Sequence, residues 1–456
     1  MNRRQLFGLV IALAAPRLAS AEGLIYRDGA TGLSKAIVSS GDTKAAGLCV
    51  GSTFAGFPIS AKATIDSVGA GPCGTAKTLA SFSAKFKVPA LPSANTGIFL
   101  YDAATGAIID VVGEGDPTPL GAGTTWGDFG GNNPAVVIEE APACIAHVFF
   151  RAKVEGAPAA SDTGIFAARF SLPGLALVWT GAYFVEGGGG TALPFPAGSV
   201  WGDFPASTKI DAVSGAGSGT FKLGFRAQVT GAGVTNSNDT GLFLYRDESE
   251  ALYTAAREGD PTCVPTWPGG GAVFDDFPAS LPVVVADAGV PFAMFRAKSR
   301  GGPMASDTAI VVAYPAPTCG TVGAASENDL APVGGLYADF PASTKVATTG
   351  GYGVFTARVT GGPGATKVLV LNLTTAVARQ GMPDSALGAL PISLPADPGL
   401  TVNDAGTVMF NMTVSGYPTG LFAYNSGLGV VPAQAVTFGC RNAQIDDLGN
   451  STARCP

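Results

Sequence analysis

The chain is poor in the residues that most often carry acid–base and metal chemistry. It contains one histidine, His147, among 456 residues, and only 13% of its residues are charged. A Ser-His-Asp arrangement would have to use His147, and no Gly-x-Ser-x-Gly elbow accompanies it. No cysteine or histidine spacing is typical of a zinc site. We therefore predict no cofactor, no metal and no catalytic residue, and we interpret His147 as a surface or partly buried strand residue.

Basic clusters and long apolar runs are missing as well. The formal net charge is -7, and no group of lysines and arginines is dense enough to follow a phosphate backbone, which excludes nucleic acid as a partner. Beyond Ala21, no apolar run approaches the ~18 residues that a membrane helix needs. We predict a monomer without a membrane span.

The first residues are typical of a secretory signal. Arg3 and Arg4 precede an apolar run over 6–15, and Ala19-Ser20-Ala21 supplies small residues for cleavage. We predict a signal peptide over 1–21 and one domain over 22–456, exported to the periplasm or outside the cell. The arginine pair leaves twin-arginine export open as an alternative to the general secretory route.

Seven cysteines fit an oxidising compartment. Proximity in sequence and the repeats favour three pairs: Cys49 with Cys73, Cys263 with Cys319, and Cys440 with Cys455. Cys144 would then remain as a buried apolar thiol.

Glycine and proline, at 64 and 33 residues, make up about a fifth of the chain and separate short segments rich in β-branched and aromatic residues. These segments recur in a fixed order. In the best-preserved unit the landmarks are Asp203-Phe204-Pro205, Gly224-Phe225-Arg226-Ala227, Asp239-Thr240-Gly241-Leu242-Phe243 and Arg257-Glu258-Gly259-Asp260-Pro261. Four strands per tandem unit indicate an all-β fold, a β-propeller whose units are its blades.

The two ends of the chain decide the number of blades. Residues 23–42 contain only the third and fourth landmarks, whereas 438–456 resemble the first half of a unit. Joining the two ends gives seven four-stranded blades with one blade shared between the termini, which removes two exposed sheet edges. Six blades with a loose N-terminal strand pair is the alternative.

The charged and aromatic residues that recur in the units look at first like a site. A residue needed in blade after blade is better explained as a structural marker, with Asp bonding a turn or an Arg. The predicted markers are Asp128, Phe129, Asp203, Phe204, Asp276, Phe277, Asp339, Phe340, Arg151, Arg226 and Arg296. Calcium bound by the acidic turns at Asp116 and Asp260 stays open as an alternative, although no dedicated calcium loop is present.

The units resemble an exported bacterial tandem-repeat family. The match is carried by Arg257-Glu258-Gly259-Asp260-Pro261, Asn403-Asp404-Ala405-Gly406, Phe225-Arg226-Ala227 and Gly164-Ile165-Phe166. This resemblance covers about residues 23–449 and implies a β-propeller. It implies no established activity or ligand.

Three functions remain open on the sequence. The first is a non-catalytic protein that binds a protein, glycan or cell-surface component through loops on one face, with Trp267, which lies outside the repeat, as the candidate binding residue. The second is a secreted polysaccharide hydrolase or lyase that uses carboxylates of the central channel. The third is a structural envelope protein. Because the repeat-breaking positions show no cluster of acidic residues or histidine, the sequence favours the first.

Overall fold

The computed structural model consists almost entirely of β-strands. It describes residues 23–27, 34–39, 42, 52–57, 63–69, 73, 76–88, 94–129, 133–140, 142–188, 195, 198–214, 220–262, 272–278, 281, 283–287, 290–301, 306–315, 321–361, 366–381, 383–384, 390–395, 399–415, 420–425, 429–432, 441–446 and 450–455. In these ranges, no helix has the length and apolar character needed to cross a membrane.

The described strands form seven antiparallel sheets. Blade 1 consists of β3 (Thr53–Gly56), β4 (Thr64–Val68), β5 (Lys77–Lys87), β6 (Ala94–Asp102) and β7 (Ile108–Gly113). Blade 2 consists of β8 (Thr125–Trp126), β9 (Ala135–Glu139), β10 (Ile145–Glu155), β11 (Thr163–Ser171) and β12 (Ala176–Val185). Blade 3 consists of β13 (Val200–Trp201), β14 (Ile210–Ser214), β15 (Phe221–Thr230), β16 (Thr240–Arg246), a 3-10 turn (Asp247–Ser249) and β17 (Ala251–Arg257).

The remaining sheets repeat this order. Blade 4 consists of β18 (Val273–Phe274), β19 (Val284–Asp287), β20 (Pro291–Arg300), β21 (Thr308–Ala313) and β22 (Thr321–Ser326). Blade 5 consists of β23 (Leu336–Asp339), β24 (Val346–Thr348), β25 (Gly353–Thr360), β26 (Thr366–Leu371) and β27 (Thr375–Arg379). Blade 6 consists of β28 (Pro383–Asp384), β29 (Leu390–Ser393), β30 (Thr401–Val402), β31 (Val408–Val414), β32 (Gly420–Asn425) and β33 (Gly429–Pro432). The seventh sheet contains β1 (Gly23–Arg27), β2 (Ser34–Ser39), β34 (Arg441–Ile445) and β35 (Ser451–Cys455).

The two ends of the chain meet in the seventh sheet. Strand β1 pairs antiparallel with β35, with Leu24 opposite Arg454 and Tyr26 opposite Thr452. The innermost strands β4, β9, β14, β19, β24, β30 and β34 each contact the next, and β34 contacts β4. The sheets therefore close into a ring, a β-propeller. Six blades are each built from one continuous stretch of sequence, and six is the number of blades in the alternative prediction. The seventh sheet is the one predicted from the two termini, and it combines strands from both ends of the chain.

The Asp-Phe-Pro motif interrupts the first strand of each well-preserved blade. In blade 3, β13 pairs with the end of β15, whereas β14 pairs with its beginning. Between β13 and β14 lies Asp203-Phe204-Pro205, where proline cannot donate to a strand ladder. The motif turns the chain locally and aims the Phe204 ring into the blade, with its centroid 6.4 Å from that of Phe225.

The core lies between neighbouring sheets. One cluster joins Phe149 and Ile165 of blade 2 to Phe221 and Phe225 of blade 3, and all four are fully buried. Alternating apolar residues on both faces of each sheet make such layers inevitable, because a single twisted sheet cannot cover its own apolar face.

A disulfide joins blades 1 and 2. Cys73 and Cys144 are bonded, with Cα atoms 5.4 Å apart. The predicted pair Cys49 with Cys73 is therefore wrong, and so is a free thiol at Cys144. The physical reason is the repeat itself, because equivalent turns of successive blades are neighbours in space although they lie 71 residues apart in sequence.

Candidate functional site

The predicted markers lie at the junctions between blades. At the junction of blades 2 and 3, the Thr163 hydroxyl lies 3.1 Å from an oxygen of Asp203 and 2.8 Å from an oxygen of Glu186. The Phe204 N–H donates to the same hydroxyl at 3.1 Å. Arg151 Nε donates to the Phe204 carbonyl at 2.5 Å. Blade 2 thus holds the interrupted strand of blade 3 through both backbone groups of one phenylalanine.

The same contacts recur at neighbouring junctions. Arg226 and Arg296 donate through Nε to the carbonyl oxygens of Phe277 and Phe340, each at 2.8 Å. The hydroxyls of Thr96, Thr240 and Thr308 accept from the N–H groups of Phe129, Phe277 and Phe340. The carboxylates Asp128 and Asp276 accept from Thr96 and Thr240, and Asp339 lies 3.6 Å from Arg358.

Burial shapes the electrostatics of these junctions. Burial lowers the pKa of Arg151, Arg226 and Arg296, and nearby carboxylates oppose that shift. Burial, with neighbouring aspartates, raises the pKa of Glu186 and Glu258, while hydrogen bonds from threonine oppose it. Such mutually compensating groups link neighbouring blades.

Replacing Arg226 with methionine tests the junction network. The variant removes the donor to the buried Phe277 carbonyl, and we expect the free energy of unfolding to fall by about 2 kcal/mol, the cost of an unmet buried polar group. Urea unfolding followed by tryptophan fluorescence measures the change. The control is Arg358→Met, whose side chain is 62% exposed. An equal loss in both variants would contradict a special role for the buried arginines.

Among the described residues, the junction of blades 2 and 3 also contains side chains that have no counterpart in the repeated network. His147 Nε2 lies 3.2 Å from Glu139 Oε2, and both side chains are buried. The imidazole packs on the rings of Phe149 and Phe221, at centroid distances of 5.7 and 4.8 Å. Glu139 ends β9 and His147 follows the next turn, so a strand hairpin of blade 2 brings them together. His147 is thus buried beside a carboxylate.

Blade 3 adds a second carboxyl group to this pair. Burial raises the pKa of Asp247, and the adjacent Glu139 carboxylate raises it further, whereas His147 and Arg169 oppose the shift. Burial and the charge of Asp247 raise the pKa of Tyr245 to about 12. Asp247 and Glu139 are in hydrogen-bonding contact. Because its pKa is raised, Asp247 stays protonated to a higher pH than an ordinary aspartate, and a protonated carboxyl group can both donate and accept hydrogen bonds.

The outer strand of blade 2 carries an extra irregularity beside this cluster. Its pairing with β11 skips Tyr183, a bulge that the outer strands of blades 1, 3, 4 and 5 share at Val111, Ala255, Ala324 and Val377. A second bulge skips Val178, and among the described pairings of outer strands blade 2 alone has one there. Bulges re-aim neighbouring side chains. Leu177, Val178 and Trp179, at this second bulge, are exposed at 52%, 55% and 38%.

Arg169 connects the exposed tryptophan to the buried cluster. Its guanidinium lies 4.6 Å from the centre of the Trp179 ring, and Nη2 donates to the Tyr183 hydroxyl at 2.5 Å. The indole lies over Gly181, where a Cβ would come within 1.9 Å of it. Gly181 is therefore required for this ring position. We call Glu139, His147, Arg169, Trp179, Tyr183, Tyr245 and Asp247 the 2/3 cluster.

The other sequence-predicted site residues take no part in the 2/3 cluster. Trp267, Cys49, Cys263, Cys319 and Cys440 lie outside the described residues, and so do residues 1–22. In the part of the chain that is described, no three His, Cys, Asp or Glu residues are placed to hold a metal ion.

Sequence reasoning missed the 2/3 cluster because its members are spread over 109 positions and belong to two units. One signal was present. At the position of His147 the other units carry Lys222, Phe292 and Tyr352, so the residue type at this position changes from unit to unit. A position that varies within a repeat is where a single unit can acquire a site.

Comparisons with known proteins find similar solved structures but no relative by sequence. No family model and no curated protein matches the sequence. The solved structures similar to it include the fucose-specific lectin from Aleuria aurantia (8% identity, TM-score 0.37, covering 84% of this chain and 97% of the lectin). They also include AofleA from Arthrobotrys oligospora (12%, 0.36, 91% and 95%) and a Trypanosoma rangeli sialidase mutant displaying trans-sialidase activity (10%, 0.37, 91% and 57%). The likeness is one of β-propeller architecture alone.

Proposed function

We propose that the protein is an exported, non-catalytic glycan-binding β-propeller whose binding surface is the 2/3 cluster. The observation that carries the proposal is the exposed Trp179 ring at the point where the repeat and the strand geometry both depart from the other blades. Sugars present apolar C–H faces that stack on indole rings, together with hydroxyl groups that need donors and acceptors. Arg169 and Tyr183 supply such groups beside the indole, and Asp247 adds a carboxyl group near Arg169.

The polar groups around Trp179 suit binding better than hydrolysis. Arg169 Nε is buried and makes no hydrogen bond among the described residues, so it is a donor that a small shift can offer to a ligand. The two carboxyl groups of glycoside hydrolases stand ~5 to 9.5 Å apart across the scissile bond. Glu139 instead lies close enough to Asp247 to raise its pKa through both its charge and a hydrogen bond, an arrangement that differs from two carboxyl groups held apart across a bond.

A glycan array followed by calorimetry tests the proposal. We expect the purified protein to bind a subset of glycans, and Trp179→Ala to weaken the best ligand by about 30-fold, or about 2 kcal/mol, as for a central aromatic contact. The matched control is Tyr314→Ala, an aromatic residue of blade 4 with 39% exposure. Retained affinity in Trp179→Ala, or an equal loss in Tyr314→Ala, would exclude this surface. An array without hits would exclude a glycan ligand and favour a structural envelope protein.

A secreted polysaccharide hydrolase is the second candidate, because the pKa of Asp247 is raised beside a carboxylate and a histidine. A raised pKa is what a general acid requires. Incubating each bound polysaccharide with the protein and measuring new reducing ends separates the two candidates. Release that disappears in Asp247→Asn would establish hydrolysis, whereas binding without release supports the lectin-like function.

A further inference from the structure

The junction of blades 5 and 6 lacks the arginine and threonine of the repeated network. Thr356 occupies the position of Arg151, since each follows the second phenylalanine landmark of its blade, Phe355 or Phe150. Lys367 occupies the position of Thr163, since the two pair with the equivalent residues Arg358 and Lys153. The arginine is thus replaced by Thr356 and the threonine by Lys367. Lys367 Nζ donates to the carbonyl of Pro395, which follows the residue at the phenylalanine position. At this junction the charged side chain that bonds to the next blade is therefore on β26, whereas Arg151 is on β10, the equivalent of β25.

The exchange leaves a cavity of about 220 Å³ between the two blades. Threonine is shorter than arginine by most of a side chain, so the space that corresponds to the guanidinium of Arg151, Arg226 or Arg296 stays open here. The cavity is lined by Pro341, Ser343, Thr356, Arg358, Lys367 and Leu394. Its volume is close to that of one sugar ring or a similar small molecule, and it is smaller than the ~300 to 1,000 Å³ of most small-ligand sites.

The lining combines positive charge with hydroxyl groups and apolar walls. Arg358 and Lys367 supply two cations, and none of the described lining residues carries a carboxylate. Arg358 has a charge partner in Asp339, which lies 3.6 Å away and is partly exposed. The Thr356 hydroxyl accepts from Lys345 N at 3.1 Å, and its own proton is oriented by whatever acceptor enters. Pro341 and Leu394 offer apolar contact.

We propose that this cavity is a binding site for a carboxylate group carried on a ring-sized molecule. A lysine point charge and an arginine fork next to two hydroxyls match the oxygens of a carboxylate, and the apolar walls cover the ring that bears it. Two sources share this chemistry, a free sugar acid and a uronic acid unit of a polysaccharide. The site is separate from the 2/3 cluster, lies three blades away and does not depend on the function proposed there.

Calorimetry at low salt with sodium glucuronate tests the site, with methyl glucoside as the neutral counterpart. We expect glucuronate to bind with a Kd of about 1 mM or below and methyl glucoside to bind at least about 10-fold more weakly. Lys367→Met should weaken glucuronate by about 10-fold, and Arg358→Met, which changes an exposed side chain, by a smaller factor. The double variant Thr356→Arg/Lys367→Thr rebuilds the repeated network, should fill the cavity and should abolish binding.

The matched control is Lys298→Met. Lys298 is the blade 4 counterpart of Arg358, because Lys298 pairs with Thr308 and Arg358 pairs with Lys367. At the junction of blades 4 and 5, however, the arginine of the network, Arg296, is present. This variant should bind glucuronate unchanged. The source of the ligand is tested with galacturonate as a monomer and as a trimer. Much tighter binding of the trimer would indicate a polysaccharide as the natural ligand, and equal affinity would indicate a free sugar acid. No binding of glucuronate, equal binding of methyl glucoside, or equal affinity in all variants would overturn the proposal.

Discussion

Replacing Cys73 and Cys144 together with serine is expected to lower the free energy of unfolding by roughly 4 kcal/mol. The bond closes a loop with a sequence separation of 71 residues, and opening that loop returns conformational freedom to the unfolded chain. It also removes the covalent tie between two blades that otherwise hold each other by packing and the Thr96 network. Urea unfolding of the oxidised protein and of the double variant, followed by tryptophan fluorescence, measures the loss.

Two controls separate the disulfide from its alternatives. The oxidised protein treated with a reductant should unfold like the double variant, because both lack the same bond. Cys49→Ser should retain the Cys73–Cys144 bond, detected by peptide mapping without reduction. A peptide in which Cys49 is linked to Cys73 would contradict the observed pairing.

Lys77→Met is expected to destabilise the protein by about 3 kcal/mol at neutral pH. Lys77 Nζ lies 2.8 Å from Asp102 Oδ2, and both side chains are almost completely buried. Removing the lysine leaves a buried carboxylate without its cation, which costs far more than the intact pair contributes. Asp102 also accepts from Ala104 N and from the Thr105 hydroxyl, so the whole turn after β6 depends on it. Chemical unfolding at pH 7 gives the magnitude.

The pH dependence provides a second readout of this pair. Although burial raises it, the hydrogen bonds from Lys77, Ala104 and Thr105 lower the pKa of Asp102 below its ordinary value of 3.8. A lowered carboxyl pKa contributes stability that is fully present above about pH 4 and is lost as the pH falls through the folded-state pKa. The difference between the protein and Lys77→Met should therefore shrink on acidification. Lys85→Met, an exposed lysine of the same strand, should show neither effect, and a constant difference down to pH 2 would contradict the role of Asp102.

The repeated part of the fold could be predicted from local patterns. Segments with β-branched and aromatic residues between glycine and proline turns specify strands wherever they occur, and their tandem order specifies blades. The shared sheet also followed from the chain itself, because the halves at residues 23–42 and 438–456 complement each other and pair through β1 and β35. The Asp-Phe-Pro motif was expected to fix each blade. Its role in joining one blade to the previous one through Thr163 and Arg151 needed the three-dimensional arrangement.

The pairing of the cysteines shows why proximity in sequence misleads in a repeat. Within a blade, consecutive strands are neighbours, so Cys49 and Cys73 looked like partners. Between blades, each residue lies beside its counterpart one full unit away. Cys73 and Cys144 occupy turns after the first strands of blades 1 and 2, and the bond follows that longer period.

The amino-acid sequence specified the strands, the tandem blades and the joining of the two ends, because turn residues and apolar alternation act over a few positions and repeat. Tertiary packing decided the rest. It brought Glu139, His147 and Asp247 of two units close together, placed the exposed Trp179 next to a bulge, and left a cavity where Thr356 stands at the position of an arginine. These features depend on contacts between residues of different blades, and no local pattern encodes which side chains meet across a sheet-to-sheet interface.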